Sequence, residues 1–170
     1  MAGLWENHKR RSSARLAAVQ ALYEAEISGA SADAIITHFM EDKVGEYALI
    51  EPEEGANEVK MPLRRPDKLL FTDLVRGALD RQSEFDQMAD AQLTAPWTSE
   101  RLEDVLRCIL RAGIYELAAR TDSPVKVTIT EYVDIARAFY AGAEPGLVNA
   151  VLDKVARILR PSEIGGDAVA

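Results

Sequence analysis

Between Leu102 and Ala118, apolar residues recur every third or fourth position: Leu102, Val105, Leu106, Ile109, Leu110, Gly113, Ile114, Leu117 and Ala118. That spacing keeps them on one side of an α-helix for more than four turns, whereas a strand would need strict alternation. A helix so long and so apolar requires other helices to cover it, and the rest of the sequence supplies them. Ala14, Ala17, Ala18, Ala21, Leu22 and Ala25 form one stripe, with Leu16, Val19, Tyr23 and Ile27 beside it. Ser12 or Ser13 is the predicted cap of this first helix and Gly29 its stop.

Ser31 is placed to cap a second helix that buries Ile35, Ile36, Phe39 and Met40, with Asp33 in its first turn. Pro66 is predicted to open a third, carrying Leu70, Leu74, Ala78, Phe85 and Met88 to about Ala91. Thr128 and Glu131, three apart, read as a capping box ahead of Val133, Ala136, Phe139 and Tyr140, with a short strand through Val125, Val127 and Ile129 as the competing reading. After the turn at Gly142, Pro145 and Gly146, a last helix through Val148, Val151, Leu152, Val155 and Leu159 should end at Pro161. The expectation is an all-α compact bundle of six or seven helices. At 170 residues it should form a single domain, 1–170.

Periodicity fails between residues 43 and 65, where Gly45, Pro52, Gly55 and Pro62 punctuate an acidic stretch, predicted to be a long flexible insertion. The tail 162–170 is predicted to be disordered. The formal net charge is −8, which argues against a polyanion-binding protein until charge is mapped along the chain. Residues 41–60 hold seven acids against Lys43 and Lys60, a net −5, leaving −3 for the remaining 150 residues. The front of the first helix, by contrast, carries Lys9, Arg10, Arg11 and Arg15 with no acid among them. Arg11 and Arg15 are one turn apart and face the same way. Solvated surface and an anion or nucleic-acid site are both open readings of this cluster, and on either the three arginines should be replaceable by alanine at little cost in stability.

Catalytic chemistry has no candidate. His8 and His38 are far apart in sequence and no Cys or His pair has metal-ligand spacing, so no metal site or cofactor is expected. The single Cys108 lies in the stripe of the longest helix and reads as a core residue. One cysteine, no signal-peptide core and no apolar run near the roughly 18 residues of a membrane span lead to an expected cytoplasmic protein that is not an enzyme.

Two segments, "RRSSARLAAVQALYEAE" and "LRAGIYELAARTDSPVKVTITEYVDIARAFYAGAEPGLVNAVLDKVARILRP", together resemble the NusB transcription antitermination factors. The resemblance implies a helical bundle that binds the boxA element of nascent single-stranded RNA together with a ribosomal protein acting as NusE. It also implies a place in the RNA polymerase antitermination complex of ribosomal RNA operons. It assigns RNA binding to Lys9, Arg10, Arg11 and Arg15, with Ser12 and Ser13 supplying hydroxyls where the family has further arginines. It makes Leu147 an outward apolar anchor for the protein partner and Tyr23 and Leu106 further partner contacts, although a core role explains those two equally well. A helical protein–protein adaptor without RNA binding is the alternative.

Overall fold

The computed structural model of the chain describes residues 2–41, 54 and 66–165. Its helices are α1 (Ala2–Ser28), α2 (Ala32–Glu41), α3 (Lys68–Asp80), α4 (Gln82–Asp90), α5 (Asp104–Ala119), α6 (Val125–Phe139), α7 (Glu144–Leu159) and α8 (Pro161–Ile164), with one 3-10 turn at Ser99–Arg101. No strand occurs among the described residues. The predicted insertion at 43–65, Glu54 apart, and the last five residues of the predicted tail lie outside them.

Helix α5 is the axis of the bundle, as its periodicity requires, and packs against α1, α3, α4, α6 and α7. Twelve of its sixteen residues are buried, so the helix is covered nearly all round. Fully burying side chains such as Ile109, Ile114 and Leu117 contributes roughly 1.5–3 kcal/mol each, and this sets α5 as the surface on which the other helices assemble. Gly77 of α3 lets that packing close. A β-carbon there would lie 2.0 Å from a ring carbon of Tyr115 on α5, so the aromatic ring occupies the space a side chain would need.

Helix α1 starts far earlier than predicted. It runs from Ala2, and Ser12 and Ser13 are interior residues rather than caps. No proline interrupts residues 2–11, and the early turns are tied down by side chains: Lys9 sits over the Trp5 ring and His8 meets Glu131 of α6. The helix ends as expected at Gly29, whose φ of +69° is left-handed and favours glycine. Ser31 caps α2 through its hydroxyl, which accepts from the Ala34 amide at 3.2 Å.

The predicted helix from Pro66 to Ala91 is two helices. Asp67, not Pro66, marks the start of α3, with its carboxylate accepting from the Leu70 amide at 3.1 Å. The backbone leaves helical geometry at Arg81 (φ −120°, ψ 30°) before α4 begins. The break is invisible to periodicity because Phe85 and Ala89 still reach the core on its far side. Neither the capping box nor the strand describes the start of α6, which begins at Val125 with Thr128 fully buried inside it. Burial of Val125, Ile129, Val133 and Ala136 outweighs the modest helix propensity of this β-branched run. Beyond Pro161 the chain continues into α8, where Glu163 accepts from Arg160 and from the Val125 amide, so residues 162–164 are ordered rather than a loose tail.

Candidate nucleic-acid interface

The N-terminal half of α1 presents two unlike sides. Arg11 and Arg15 do face the same way, but toward the corner between α5 and α6. The Arg11 guanidinium donates to the Ser123 hydroxyl at 2.9 Å and to the Asp122 carboxylate at 3.3 Å, keeping about a quarter of its side chain in solvent. One turn deeper, Arg15 is 1% exposed. Its Nε and Nη2 donate to Glu116 at 3.0 and 2.7 Å, and its Nη1 lies 3.5 Å from Glu131.

Glu116 is itself fully buried and also accepts the Tyr132 hydroxyl at 2.8 Å. A carboxylate at this depth is tolerable because a planar guanidinium and a phenol satisfy its oxygens. Burial alone would lower the Arg15 pKa, but the Glu116 hydrogen bonds and charge outweigh it and hold the guanidinium still more firmly protonated. Burial and the neighbouring Glu116 likewise push the Tyr132 phenol well above its ordinary range, so Tyr132 stays a donor.

The assignment of Arg15 to RNA contact is therefore corrected: its donors are spent inside the protein, and burial, not charge, determines its role. Ser13 is also buried, at 4%, and cannot offer its hydroxyl to a ligand in solvent. Arg10 is exposed, while Lys9 and Ser12 are half-buried. One cation escaped the sequence reading. The Asp67 amide donates to the Arg10 carbonyl at 3.0 Å, and the next residue, Lys68, is exposed. The basic end of α1 thus consists of Lys9, Arg10 and Arg11, which fan around the helix, with exposed Lys68 next to the residue that meets the Arg10 carbonyl. Residues 58 positions apart carry no local sequence signal that they will meet, so only the fold reveals Lys68.

Acids border this end. Asp122 accepts from both Arg11 and Arg120, and Arg120 also reaches Asp73, which in turn accepts the Tyr115 hydroxyl at 2.7 Å. Desolvation works against the Asp122 charge, but Arg120 and Arg11 outweigh it and hold its carboxyl below the usual aspartate range.

The partner-contact residues are dispersed. Leu147 is 6% exposed and belongs to the buried face of α7, which overturns its role as an outward anchor. Its place in the first turn of α7, which starts at Glu144, turns it onto the core with Val148 and Val151. Leu106 is 1% exposed and belongs to the core of α5. Tyr23 is half-buried on α1, and the stripe that starts at Leu16 and Val19 emerges into solvent one turn later at Ile27, 63% exposed. Beside that end of α1, Glu26 accepts from Gln82 and from Arg111, whose guanidinium also forks onto Asp86. These contacts border an open groove lined by Leu79, Asp80, Gln82, Ser83, Asp86, Gln87 and Asp90. No helix among the described residues is long and apolar enough to cross a membrane, and no group of three or more acids, histidines or cysteines among them is arranged to hold a metal.

Comparison with known proteins agrees with this architecture. A transcription antitermination protein NusB of Rhodospirillum rubrum is 49% identical over 163 residues, covering 92% of this chain and 88% of the relative. The solved structure of T. maritima NusB superposes with a TM-score of 0.66 at 26% identity, over 91% of this chain and 96% of that one. A solved complex of the antitermination factors NusB and NusE with double-stranded RNA shares the fold, with a TM-score of 0.64 at 21% identity over 88% of this chain and 97% of that one. The model of the NusB family matches residues 12–157, from Ser12, just after Arg11 on α1, to the last turn of α7, and the chain belongs to the NusB family.

Proposed function

We propose that this protein serves transcription antitermination by binding boxA-type single-stranded RNA jointly with a ribosomal protein acting as NusE, within the RNA polymerase antitermination complex. The observation that carries this reading is the run of Lys9, Arg10 and Arg11 near the front of α1, with exposed Lys68 next to the residue that meets the Arg10 carbonyl, in a chain whose net charge is −8. Local cations attract phosphates, while the acidic remainder disfavours binding elsewhere on the surface. Guanidinium forks suit phosphate oxygens, and a single strand also offers bases. Ser12 lies at the margin of this run, while Arg15 and Ser13 support it from beneath.

Lys9, Arg10, Arg11 and Lys68 are a small electrostatic footprint, so tight binding requires a partner that adds basic surface. For that partner the reading favours Tyr23 and Ile27 beside the acidic groove of Asp80, Asp86 and Asp90, which complements a basic ribosomal protein. The role is one of binding rather than catalysis, and its setting is the cytoplasm, where the single Cys108 thiol stays reduced.

A gel-shift titration with a boxA-like RNA oligonucleotide, with and without the ribosomal protein, tests the proposal. Weak binding alone and strong binding together are expected. Failure of the RNA to shift in either case, with the ribosomal protein still bound, would favour a protein-only adaptor.

A further inference from the structure

The first turns of α1 carry an aromatic side chain that the core does not use. Trp5 retains 62% of its full exposure, and Leu4 beside it 79%. An indole left this open gains little from folding, since its apolar surface stays in water. Its position is nevertheless defined. The His8 ring stacks near it, with centroids 6.2 Å apart and planes inclined by 28°, and the Lys9 ammonium lies 5.1 Å from the indole centroid. His8 is in turn anchored to Glu131 of α6 at 3.4 Å. Trp5, His8, Lys9 and Ser12 are spaced i, i+3, i+4 and i+7, so they share one side of the helix. Trp5 sits four residues before Lys9, roughly 6 Å along the axis at 1.5 Å per residue, and Arg10 and Arg11 follow within the next turn on the other sides of the helix.

We propose that Trp5, steadied by His8 and Lys9, is a stacking ledge for one unstacked base of the single-stranded RNA. The inference rests on the RNA-binding reading above and adds to it a contact with a base, where the arginines supply contacts with phosphates. Every base presents a π-face, so the ledge adds affinity without selecting a letter. The Lys9 ammonium is placed to neutralise a phosphate flanking the stacked nucleotide while remaining near the indole. A lipid surface is the less suitable occupant. Leu4 and Trp5 are the large exposed apolar residues of this turn, Glu6 and Asn7 follow them, and an interfacial helix needs a continuous apolar face.

The experiment uses the Trp97→Phe protein, in which Trp5 is the remaining tryptophan of the two, and a short boxA-like RNA together with versions carrying one abasic nucleotide at each position in turn. Binding should quench Trp5 fluorescence. In the otherwise unaltered protein, Trp5→Ala should weaken binding about tenfold, within the range for loss of one base–aromatic stack, while Trp5→Phe keeps most of the affinity. At one abasic position the RNA itself should lose a similar factor, and Trp5→Ala should then cost nothing more. Wild-type affinity in Trp5→Ala, or losses that multiply at every abasic position, would overturn the ledge. In that event weakened binding by Arg10→Ala and Arg11→Ala would leave the RNA reading standing. RNA that fails to bind with or without the ribosomal protein would remove both. A blue shift of Trp5 emission on phosphatidylserine vesicles, with no quenching by RNA, would assign the turn to a membrane surface instead.

Discussion

Arg15 of α1 and Glu116 of α5 form a buried fork, the guanidinium Nε and Nη2 donating to the carboxylate from 101 residues away in sequence. The pair joins the basic end of α1 to the central helix, so a residue that looks like part of a ligand site is a fastening beneath it. Removing one partner leaves a charge stranded in the core, which typically costs about 3–5 kcal/mol. Arg15→Ala should therefore lower the urea midpoint strongly, whereas Arg10→Ala should leave it nearly unchanged. A stability loss from Arg15→Ala no larger than that from Arg10→Ala would contradict the fork.

If Arg11 binds RNA, as proposed above, Asp122 competes with that RNA for its guanidinium. It lies 3.3 Å from the Arg11 guanidinium, more than half of it is in solvent, and its negative charge would repel an approaching phosphate. On the RNA-binding reading, Asp122→Asn should strengthen RNA binding, and Arg11→Ala should weaken it. Each phosphate of a single strand that is no longer neutralised should reduce the magnitude of the log–log salt slope by about 0.7. Titrations at several salt concentrations measure both effects, and a slope unchanged in Arg11→Ala would move the phosphate site elsewhere.

How legible this was in the sequence depended on the range of the interaction. The axis α5, the α2 cap at Ser31 and the stop at Gly29 follow from spacing and local backbone preference, and all three stand in the structure. The split of α3 from α4 at Arg81 and the early start of α1 at Ala2 were missed, because the hydrophobic stripe continues past the first and polar residues reveal no period in the second. At the candidate site the sequence located the basic cluster but not which cations reach solvent. Arg11 and Arg15 are equally charged and equally spaced from their neighbours. They differ in burial because Glu116, Glu131 and Tyr132 converge on one of them, a convergence that exists only after α5 and α6 have packed. Leu147 failed similarly: the resemblance makes it an outward anchor, but packing of α7 puts it on the buried face with Val148 and Val151.

Cys108 should report on opening of the core. The thiol is fully buried, and burial foremost, against the opposing charge of Arg111 and with smaller help from Glu26, Asp104 and Asp86, pushes its pKa up to about 12. At pH 8 almost none of it is thiolate, and a reagent has no access. Labelling by an aromatic disulfide should be slow in the native protein and should accelerate in parallel with global unfolding as urea is added. Rapid labelling without denaturant would place the thiol outside the core.

Tyr115 links packing to alkaline stability. Its ring fills the space over Gly77, and its hydroxyl donates to Asp73 at 2.7 Å. Burial, and then the Asp73 hydrogen bond and charge, push its pKa from the ordinary 10 up to about 12. Below pH 10 the phenol is protonated whether the chain is folded or not, so its contribution is fully present. Between pH 10 and 12 the unfolded chain gives up the proton while the folded one keeps it, and stability must fall as pH rises through that window. Tyr115→Phe should be less stable than wild type near neutrality, by about 1.5–3 kcal/mol for a hydrogen bond to a charged group, and its deficit should shrink from pH 10 to 12. Gly77→Ala drives a methyl group into the same ring and should cost about 1–3 kcal/mol at pH 7. Urea melts of the three proteins at pH 7, 10 and 12 separate the two effects. A deficit in Tyr115→Phe that stays constant across the range would show that the phenol does not carry the linkage.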